Sequence, residues 1–258
     1  MAQTTSGPAD GGSVGDPHFK TWAGKWYDYH GICDLVLLKL DDFANGQGTD
    51  IVIRTAGRGS FSYIETAAIR IGQDILEVTG WGAYAVNGVE HADLPMDLGG
   101  FKFEKWWSNT KKPVFMIHLD GGEHIKISTK KELVSVKVEN ATQATFGASV
   151  GLMGSYNDGI WFARDGETVM TDPIAFGEEW QVLNTEANLF EMDRFPQFPQ
   201  RCQLSQATRT GRRRLGEAIA QEAAEEACAH WDDEHMDLCV FDVLATGDLE
   251  LAESGDYF

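Results

Sequence analysis

The chain has 258 residues, of which 43% are hydrophobic and 24% are charged, so it can bury a substantial core and is not disordered throughout. Its net charge of −19 opposes binding to nucleic acid and to anionic membrane surfaces, whereas it attracts cations such as calcium. No apolar run approaches the ~20 residues needed to span a bilayer, so we expect no transmembrane segment.

Residues 1–14 are small and mostly polar, without the basic and apolar regions of a signal peptide. We expect them to form a flexible leader. For reasons that follow from the cysteines, we also expect a secreted or cell-surface protein from which a signal peptide has been removed.

From Phe19 to about Ser155 the apolar residues recur with a period of two, and turn-forming residues separate the segments. Asn87-Gly88 and Asp120-Gly121-Gly122 are signals for hairpin turns. The pattern predicts about ten short strands, including the segments 34–40, 50–55, 62–71, 75–79, 83–86, 114–119, 124–128 and 133–138. Such spacing is typical of an antiparallel β-sandwich.

The sequence changes character after the β-rich region. Residues 184–214 are mostly polar and are expected to be a connector that wraps the sandwich. From Leu215 the apolar period becomes helical, and a second helix is predicted over 234–245. The predicted fold is mainly β, an antiparallel β-sandwich at about 15–183 with a small C-terminal α-helical unit at 215–258.

Three segments of this sequence resemble the von Willebrand factor type D domain. Residues 15–22 read GDPHFKTW, residues 151–158 read GLMGSYND, and residues 171–177 read TDPIAFG before Trp180. They are similar, in order and spacing, to the GDPHF strand, the GLCGNYNG loop and the closing segment of that family. The tail resembles a reduced form of the cysteine-rich helical module that often follows, with two cysteines where that module usually has eight.

The resemblance also implies a disulfide pattern. In the family, a cysteine just before the GDPHF strand pairs with the one in the GLCGN loop; here the first segment has no cysteine and Met153 occupies the second position. The cysteine that matches Cys33 pairs in the family with one soon after the closing tryptophan, which implies Cys33–Cys202. Cys228–Cys239 would then join two helices. An oxidising, extracellular location follows from this pattern.

Type D domains often hold calcium through the aspartate of a TFDG sequence and through Asn and Asp residues of the GLCGN loop. Ala23 and Ser155 stand at two of these positions. The resemblance therefore implies calcium binding through the remaining oxygen donors, Asn157, Asp158 and Asp165. The alternative is that these residues only shape surface loops through Asx turns. No cofactor is required.

Two other features have more than one interpretation. The basic cluster of Arg212, Arg213 and Arg214 fits a processing site for a basic-specific protease, an electrostatic clamp onto the acidic sandwich, or a solvated linker. Trp81 and the pair Trp106-Trp107 fit a sugar-stacking platform, although we expect them to be core or sheet-face residues.

The histidines do not indicate a metal site or a catalytic base. His18 is expected to be a strand histidine, hydrogen-bonded near the edge of the sandwich. His118 and His124 flank a hairpin turn, where a zinc site would need a third ligand that the sequence does not supply. No nucleophile elbow and no phosphate-binding loop occur, so no catalytic residues are predicted.

These observations predict a non-catalytic extracellular module that acts in adhesion or matrix assembly. Its expected partners are other extracellular or matrix proteins, or further domains of the same chain. The alternative is a lipid- or carbohydrate-binding module of a secreted protein, and the third hypothesis is a secreted enzyme.

Overall fold

The structure, a computed structural model, describes residues 7–15, 17–58, 61–108, 112–192, 202–204, 221–246, 249 and 252. The fold is mainly β, as the sequence predicts. The strands are β1 (Ala9–Val14), β2 (His18–Lys20), β3 (Trp26–Asp28), β4 (Gly31–Ile32), β5 (Asp34–Leu40), β6 (Thr49–Arg58), β7 (Phe61–Ile71), β8 (Asp74–Thr79), β9 (Tyr84–Val86), β10 (Val89–Glu90), β11 (Met96–Leu98), β12 (Phe101–Trp107), β13 (Pro113–His118), β14 (His124–Lys130), β15 (Leu133–Ala141) and β16 (Gln203–Leu204).

The helices are short except for the last one. They are α1 (Phe43–Gly46), α2 (Gln143–Phe146), α3 (Pro173–Glu179), α4 (Gln221–Cys228) and α5 (Asp233–Thr246). Asp172 begins α3, because its carboxylate accepts a hydrogen bond from the backbone N–H of Ala175 and Pro173 fits the first turn. None of the helices that the structure describes is long and apolar enough to cross a membrane.

Two antiparallel sheets form the body of the protein. In the described residues, one sheet has eight strands in the order β11-β12-β13-β14-β15-β1-β2-β3, and the other has six in the order β10-β9-β8-β7-β6-β5. Alternate side chains of both sheets point into one core, as the period of two predicts. Fully buried members of this core include Leu37, Ile69, Phe103, Phe115 and Ile127.

Both hairpin signals occur at turns. Asn87 and Gly88 have positive φ angles of 51° and 74° between β9 and β10. Gly121 and Gly122 have φ angles of 80° and 87° between β13 and β14. Because glycine and asparagine tolerate this region at low cost, the turns fix the register of the flanking strands.

The expectation that residues 1–14 form a flexible leader is wrong for the segment Ala9–Val14. This segment is β1, which pairs with β15 on one side and with β2 on the other. The strand is built of small residues because there is no room for larger ones: a Cβ added to Gly12 would lie 2.1 Å from the backbone oxygen of Val136. Small polar residues carry no alternating apolar pattern, so the sequence analysis missed the strand.

β5 is an edge strand of the six-stranded sheet, and two later segments of the chain cover its outer edge. The backbone N–H of Lys39 donates to the carbonyl of Val150 at 2.8 Å, and that of Val36 donates to the carbonyl of Trp180 at 2.8 Å. Covering the edge in this way protects it from pairing with another chain. It also brings residues 150–153 and 180–182 onto the same side of the sandwich.

The described part of the connector packs on the outer face of the six-stranded sheet. Leu189 and Phe190 are buried there. The guanidinium of Arg54 lies 4.2 Å from the Phe190 ring centroid and forms two hydrogen bonds with Asp34, at 2.7 and 2.8 Å. Glu77 accepts hydrogen bonds from the two backbone N–H groups that follow Phe190. Two buried charged residues of the sheet, Arg54 and Glu77, therefore hold the connector at Phe190 and at the two residues that follow it.

The C-terminal helices pack on the sandwich near β1 and β3. Val14, Trp26 and Leu133 of the sandwich share an apolar cluster with residues of α4 and α5. The buried helical residues of this cluster are Ala224, Cys228, Cys239, Val240, Val243 and Leu244. Leu215, where the helical period is predicted to begin, lies outside the described residues.

Candidate functional site

The three segments that carry the family resemblance lie against each other in the structure. The backbone N–H of Trp22 donates to the carbonyl of Met153 at 3.1 Å. The hydroxyl of Tyr27 donates to the carbonyl of Leu152 at 2.6 Å. The Trp161 ring stacks on Phe176 at 4.9 Å with an interplanar angle of 3°. Segments more than a hundred residues apart in the sequence therefore form one buried aromatic cluster.

Met153 occupies the position that the resemblance assigns to a cysteine. A Cβ added to Gly11 of β1 would lie 2.5 Å from the Met153 Cε atom. Gly11 belongs to the segment just before GDPHF, where the family's partner cysteine is expected. The thioether therefore fills the space between β1 and the 151–154 loop, and the side chain is fully buried.

Both disulfides that the resemblance implied are present. Cys33 and Cys202 are bonded with a Cα–Cα distance of 5.0 Å, and the bond spans 169 residues. Beside it, Gln203 and Leu204 of β16 pair with β4, so the connector returns to the sandwich. Cys228 and Cys239 join α4 to α5 with a Cα–Cα distance of 5.9 Å.

The three residues assigned to calcium are engaged within their own loops. The Asn157 amide donates to the carbonyl of Gly147, and Asp158 accepts from the backbone N–H of Ile160. Both carboxylate oxygens of Asp165 accept from residues 167 and 168, and hydrogen bonds from Thr168 and Glu167 hold the pKa of Asp165 below its usual value. This geometry is that of Asx turns.

The donor set does not fit a strong calcium site. Ala23 lies beside the loop, because a Cβ added to Gly159 would be 2.4 Å from the Ala23 Cβ. The position that the resemblance assigns to a ligand aspartate is therefore close to the loop but carries no oxygen. Among the described residues, no group of three or more His, Cys, Asp or Glu side chains is arranged to hold a metal ion. Calcium binding through Asn157, Asp158 and Asp165 stays a prediction of weak affinity.

His18 joins the sandwich to the last helix. Its Nδ1 lies 2.7 Å from Asp28 Oδ1 on β3, and its Nε2 lies 3.1 Å from Asp242 Oδ1 on α5. Both acceptors are carboxylates, so a doubly protonated imidazolium satisfies both contacts. Burial alone lowers the pKa of His18, but the charges and hydrogen bonds of Asp242 and Asp28 outweigh it and raise the pKa well above its ordinary value.

Aromatic contacts surround this bridge. The Phe241 ring meets His18 edge-on at 5.4 Å and stacks on His30 at 5.8 Å. Nearby, Trp26 of the sandwich meets His235 of α5 edge-on at 6.2 Å. Asp242 is 224 residues from His18, so no local pattern in the sequence could have indicated the pair. His18 is a hydrogen-bonded strand histidine, as predicted, but its contact with Asp242 on α5 was not predicted.

The tryptophans singled out from the sequence are not core residues. Trp81 is 74% exposed and Trp107 is 64% exposed, whereas Trp106 is 37% exposed. The expectation of core or sheet-face positions is therefore wrong for Trp81, which lies in the turn after β8. Trp106 and Trp107 do lie on a sheet, at the end of β12, and the Trp107 indole is largely exposed.

The histidines of the β13–β14 hairpin form a small polar ladder. The His118 and His124 rings meet edge-on at 5.1 Å. His118 Nε2 lies 2.6 Å from the Glu104 carboxylate, which also pairs with Lys102. Hydrogen bonds from Lys102 and His118 lower the pKa of Glu104. These contacts hold neighbouring strands together.

The sandwich also carries shallow cavities. One of about 320 Å³ has the carboxylates of Asp42, Asp120 and Glu123 in its wall. Glu123 is buried and accepts from the backbone N–H and the hydroxyl of Thr142, the residue that begins α2. Its carboxylate therefore has a structural partner at this helix start.

No protein-family model matches the chain. The resemblance to the type D domain therefore rests on the quoted motifs and on their arrangement in the structure. The cluster of Arg212, Arg213 and Arg214 lies outside the described residues.

Proposed function

We propose that this chain is a non-catalytic extracellular module, similar to a von Willebrand factor type D domain, that acts in adhesion or matrix assembly. The observation that carries the proposal is the proximity of the three family-like segments: the backbone of Trp22 donates to Met153, and the backbone of Val36 bonds both to Leu152 and to Trp180. The two disulfides support it, because such bonds persist in oxidising compartments.

The role proposed for the module is surface recognition on a rigid body. Cys33–Cys202 ties the connector to the sandwich, and the His18–Asp242 contact ties the last helix to it. A rigid body loses little conformational entropy when it binds a partner, so weak surface contacts suffice for recognition. Its partners would be other extracellular or matrix proteins, or further domains of the same chain.

The test is saturable binding of the whole chain to decellularised matrix, measured with the disulfides intact and after reduction. We expect binding that is lost when Cys33–Cys202 is reduced, because the connector then leaves the sandwich. Turnover of any substrate by the purified chain, or matrix binding that is unchanged by reduction and by heat denaturation, would contradict the proposal.

Carbohydrate binding is the second candidate function. The observation in its favour is the exposure of Trp81 and Trp107, since an exposed indole offers a flat apolar face to a sugar ring. Lipid binding and catalysis by a secreted enzyme are the remaining alternatives from the sequence.

A further inference from the structure

Trp81 and Trp107 lie at the same end of the sandwich. A Cβ added to Gly82, the neighbour of Trp81, would be 2.4 Å from the Pro113 side chain. Pro113 is in turn the cross-strand partner of Trp107. The two tryptophans are therefore linked through the contact of Gly82 with Pro113. We call the surface formed by Trp81, Trp107, Lys105, Lys112 and Lys131 the tryptophan end.

The turn that carries Trp81 is held by close backbone contacts. A Cβ added to Gly80 would lie 2.1 Å from the backbone of Glu132, and the Gly80 N–H donates to the carbonyl of Glu65 at 2.8 Å. On the other side of Trp81, the Gly82 N–H donates to the carbonyl of Thr79 at 2.8 Å. Because the backbone is fixed on both sides of Trp81, a ligand would meet a preorganised surface.

Three lysines of the tryptophan end accompany the two tryptophans in an otherwise acidic protein, which has a net charge of −19. Lys112 precedes Pro113, and Lys131 precedes Glu132, whose backbone approaches Gly80. Lys105 Nζ lies 5.2 Å from the centre of the Trp107 ring, and Lys131 is exposed in the β14–β15 turn. The backbone segments that contact Gly80 carry two carboxylates, Glu65 and Glu132, beside the three lysines of the tryptophan end.

We propose that the tryptophan end binds an acidic polysaccharide. The apolar C–H faces of two sugar rings would stack on Trp81 and Trp107, and carboxylate or sulfate groups of the same glycan would contact the lysine ammonium groups. The charge complementarity is local, since the rest of the chain repels anions. A glycan that carries no more than about one charge per sugar suffers less from this repulsion than nucleic acid, which carries a charge every ~1.7 Å of duplex.

This inference deepens the carbohydrate-binding candidate and goes beyond the structural role. It can fail while the structural role holds, because matrix binding through protein partners does not require the two tryptophans. Conversely, glycan binding that depends on Trp81 and Trp107 would stand even if the chain showed no affinity for matrix proteins.

The experiment measures binding of the whole, disulfide-intact chain to oligosaccharides of hyaluronan, chondroitin sulfate and polygalacturonate by calorimetry and tryptophan fluorescence. Neutral cello- and malto-oligosaccharides serve as uncharged comparators. We expect at least one acidic glycan to bind, to quench indole fluorescence and to bind at least about tenfold tighter than the neutral ones. Trp81→Ala and Trp107→Ala should each weaken binding about tenfold or more.

Matched variants separate the site from general effects. Trp106→Ala is the control for Trp107→Ala, because successive residues of β12 point to opposite faces and Trp106 should leave affinity unchanged. Lys131→Ala should weaken binding, whereas Lys102→Ala on the opposite face should not. Since these side chains are exposed, melting temperatures should stay close to that of the parent chain.

The proposal is overturned if none of the acidic glycans binds at millimolar concentration, or if binding survives in the Trp81→Ala, Trp107→Ala double variant. It is also overturned if a single-stranded oligonucleotide or a phosphatidylserine vesicle binds more tightly than every glycan. Equal affinity for neutral and acidic sugars would remove the role of the lysines and overturn the proposed ligand class.

Discussion

At the scale of single residues, His18 has the most distinctive environment in the described chain. A buried imidazole between two carboxylates from different parts of the fold couples the docking of α5 to protonation. The groups that face it are Asp28 of β3, Asp242 of α5 and, across the Phe241 ring, His30. The sign of the pH dependence follows from the direction in which each pKa is shifted.

We predict that the last helix is held less firmly as the pH rises from about 6.5, the ordinary value for histidine, through the raised pKa of His18. Below about 6.5 the contribution of His18 is fully present. The pKa of Asp28 is lowered: burial opposes this shift, but the hydrogen bond and charge of His18 prevail. Its contribution is therefore present above about pH 3.9 and lost as the pH falls further.

Hydrogen exchange of the α5 amides between pH 6 and 9.5, corrected for intrinsic rates, tests this prediction. Protection should fall with pH in the parent chain and be nearly independent of pH in His18→Gln. His230→Gln is the control, because His230 is exposed and its ring contacts Ala227 and Trp231 in its own turn. Protection that does not change with pH in the parent chain would contradict the coupling.

The second prediction at this scale concerns calcium. Because Ala23 and Ser155 remove two expected ligands, we predict a dissociation constant no tighter than about 10⁻⁴–10⁻³ M. At 1 mM free calcium this corresponds to a stabilisation of about 0.4–1.4 kcal/mol, or a few degrees in melting temperature. A shift of many degrees between excess calcium and excess chelator would show that the loop binds more strongly.

A variant with restored ligands tests whether Ala23 and Ser155 are the reason for the weak calcium affinity. Ala23→Asp combined with Ser155→Asn restores two oxygen ligands beside Gly159, and we expect calcium affinity to rise at least about tenfold. Ala23→Asn with Ser155→Asn is the matched control, because it supplies an oxygen without the charge. Equal affinity of the two variants would argue against a ligand role for position 23.

At the scale of elements, β1 is an interior strand of the eight-stranded sheet, although its residues, ADGGSV, are not typical of strands. We predict that Gly12→Ala destabilises the protein by about 3 kcal/mol or more, since its Cβ would meet the backbone of β15 and cannot be accommodated by side-chain movement. Gly7→Ala is the control, because a Cβ there has no neighbour within 4 Å. Chemical denaturation measures both variants, and equal stability would exclude β1 as an integral strand.

Gly11, which precedes Gly12 on β1, offers a test of the family resemblance. We predict that Gly11→Cys combined with Met153→Cys forms a third disulfide, because the two side chains would meet between β1 and the 151–154 loop. The new bond would close a loop of about 140 residues, worth about 5 kcal/mol in the chain-entropy model before strain. Non-reducing peptide mapping detects it. Free thiols at both positions under oxidising conditions would weaken the comparison with type D domains.

Each single variant serves as a control for this pair. Gly11→Cys alone should destabilise the chain, because its Cβ would approach the Met153 Cε to 2.5 Å. Met153→Cys alone should leave a small cavity and lower the melting temperature. Stability recovered only in the double variant would show that the bond, and not the separate substitutions, is responsible.

A structural feature could be predicted from the sequence when residues close together in the chain determine it. Strands such as β5 and β15 alternate apolar residues, and turns such as Asn87-Gly88 have their own chemistry, so both were predictable. β1 was not, because its glycines are required by close approach to Val136 and carry no periodicity. The family motifs implied the disulfides, whereas no local feature linked His18 to Asp242.

The exposure of Trp81 and Trp107 also could not be predicted from the sequence. A period of two assigns a residue to a face of a sheet but not to a position along it. Whether a face is covered depends on where the opposing sheet ends. In this sandwich, the indoles in the turn after β8 and at the end of β12 are largely exposed.

At the scale of the whole molecule, the helical tail and the sandwich are joined by side-chain contacts and by chain connectivity, but by no disulfide between them. The Cys228–Cys239 bond lies within the tail, and the Cys33–Cys202 bond lies before Arg212. A single cleavage at Arg212, Arg213 or Arg214 would therefore leave the tail attached through noncovalent contacts, which include its packing on Val14, Trp26 and Leu133 and the His18–Asp242 contact.

We predict that limited trypsin digestion of the native protein cuts first at the basic cluster and that the two fragments elute together on size exclusion. A unit of about 40 residues rarely folds alone, so its helices depend on the apolar cluster shared with the sandwich. Val243→Asp places a charge in that cluster, where Val243 is fully buried, and should separate the fragments after cleavage. Glu222→Gln is the control, because Glu222 is exposed on α4 and the substitution adds no trypsin site. Fragments of the parent chain that separate without denaturant, with both disulfides intact, would mean that the tail is an independent unit.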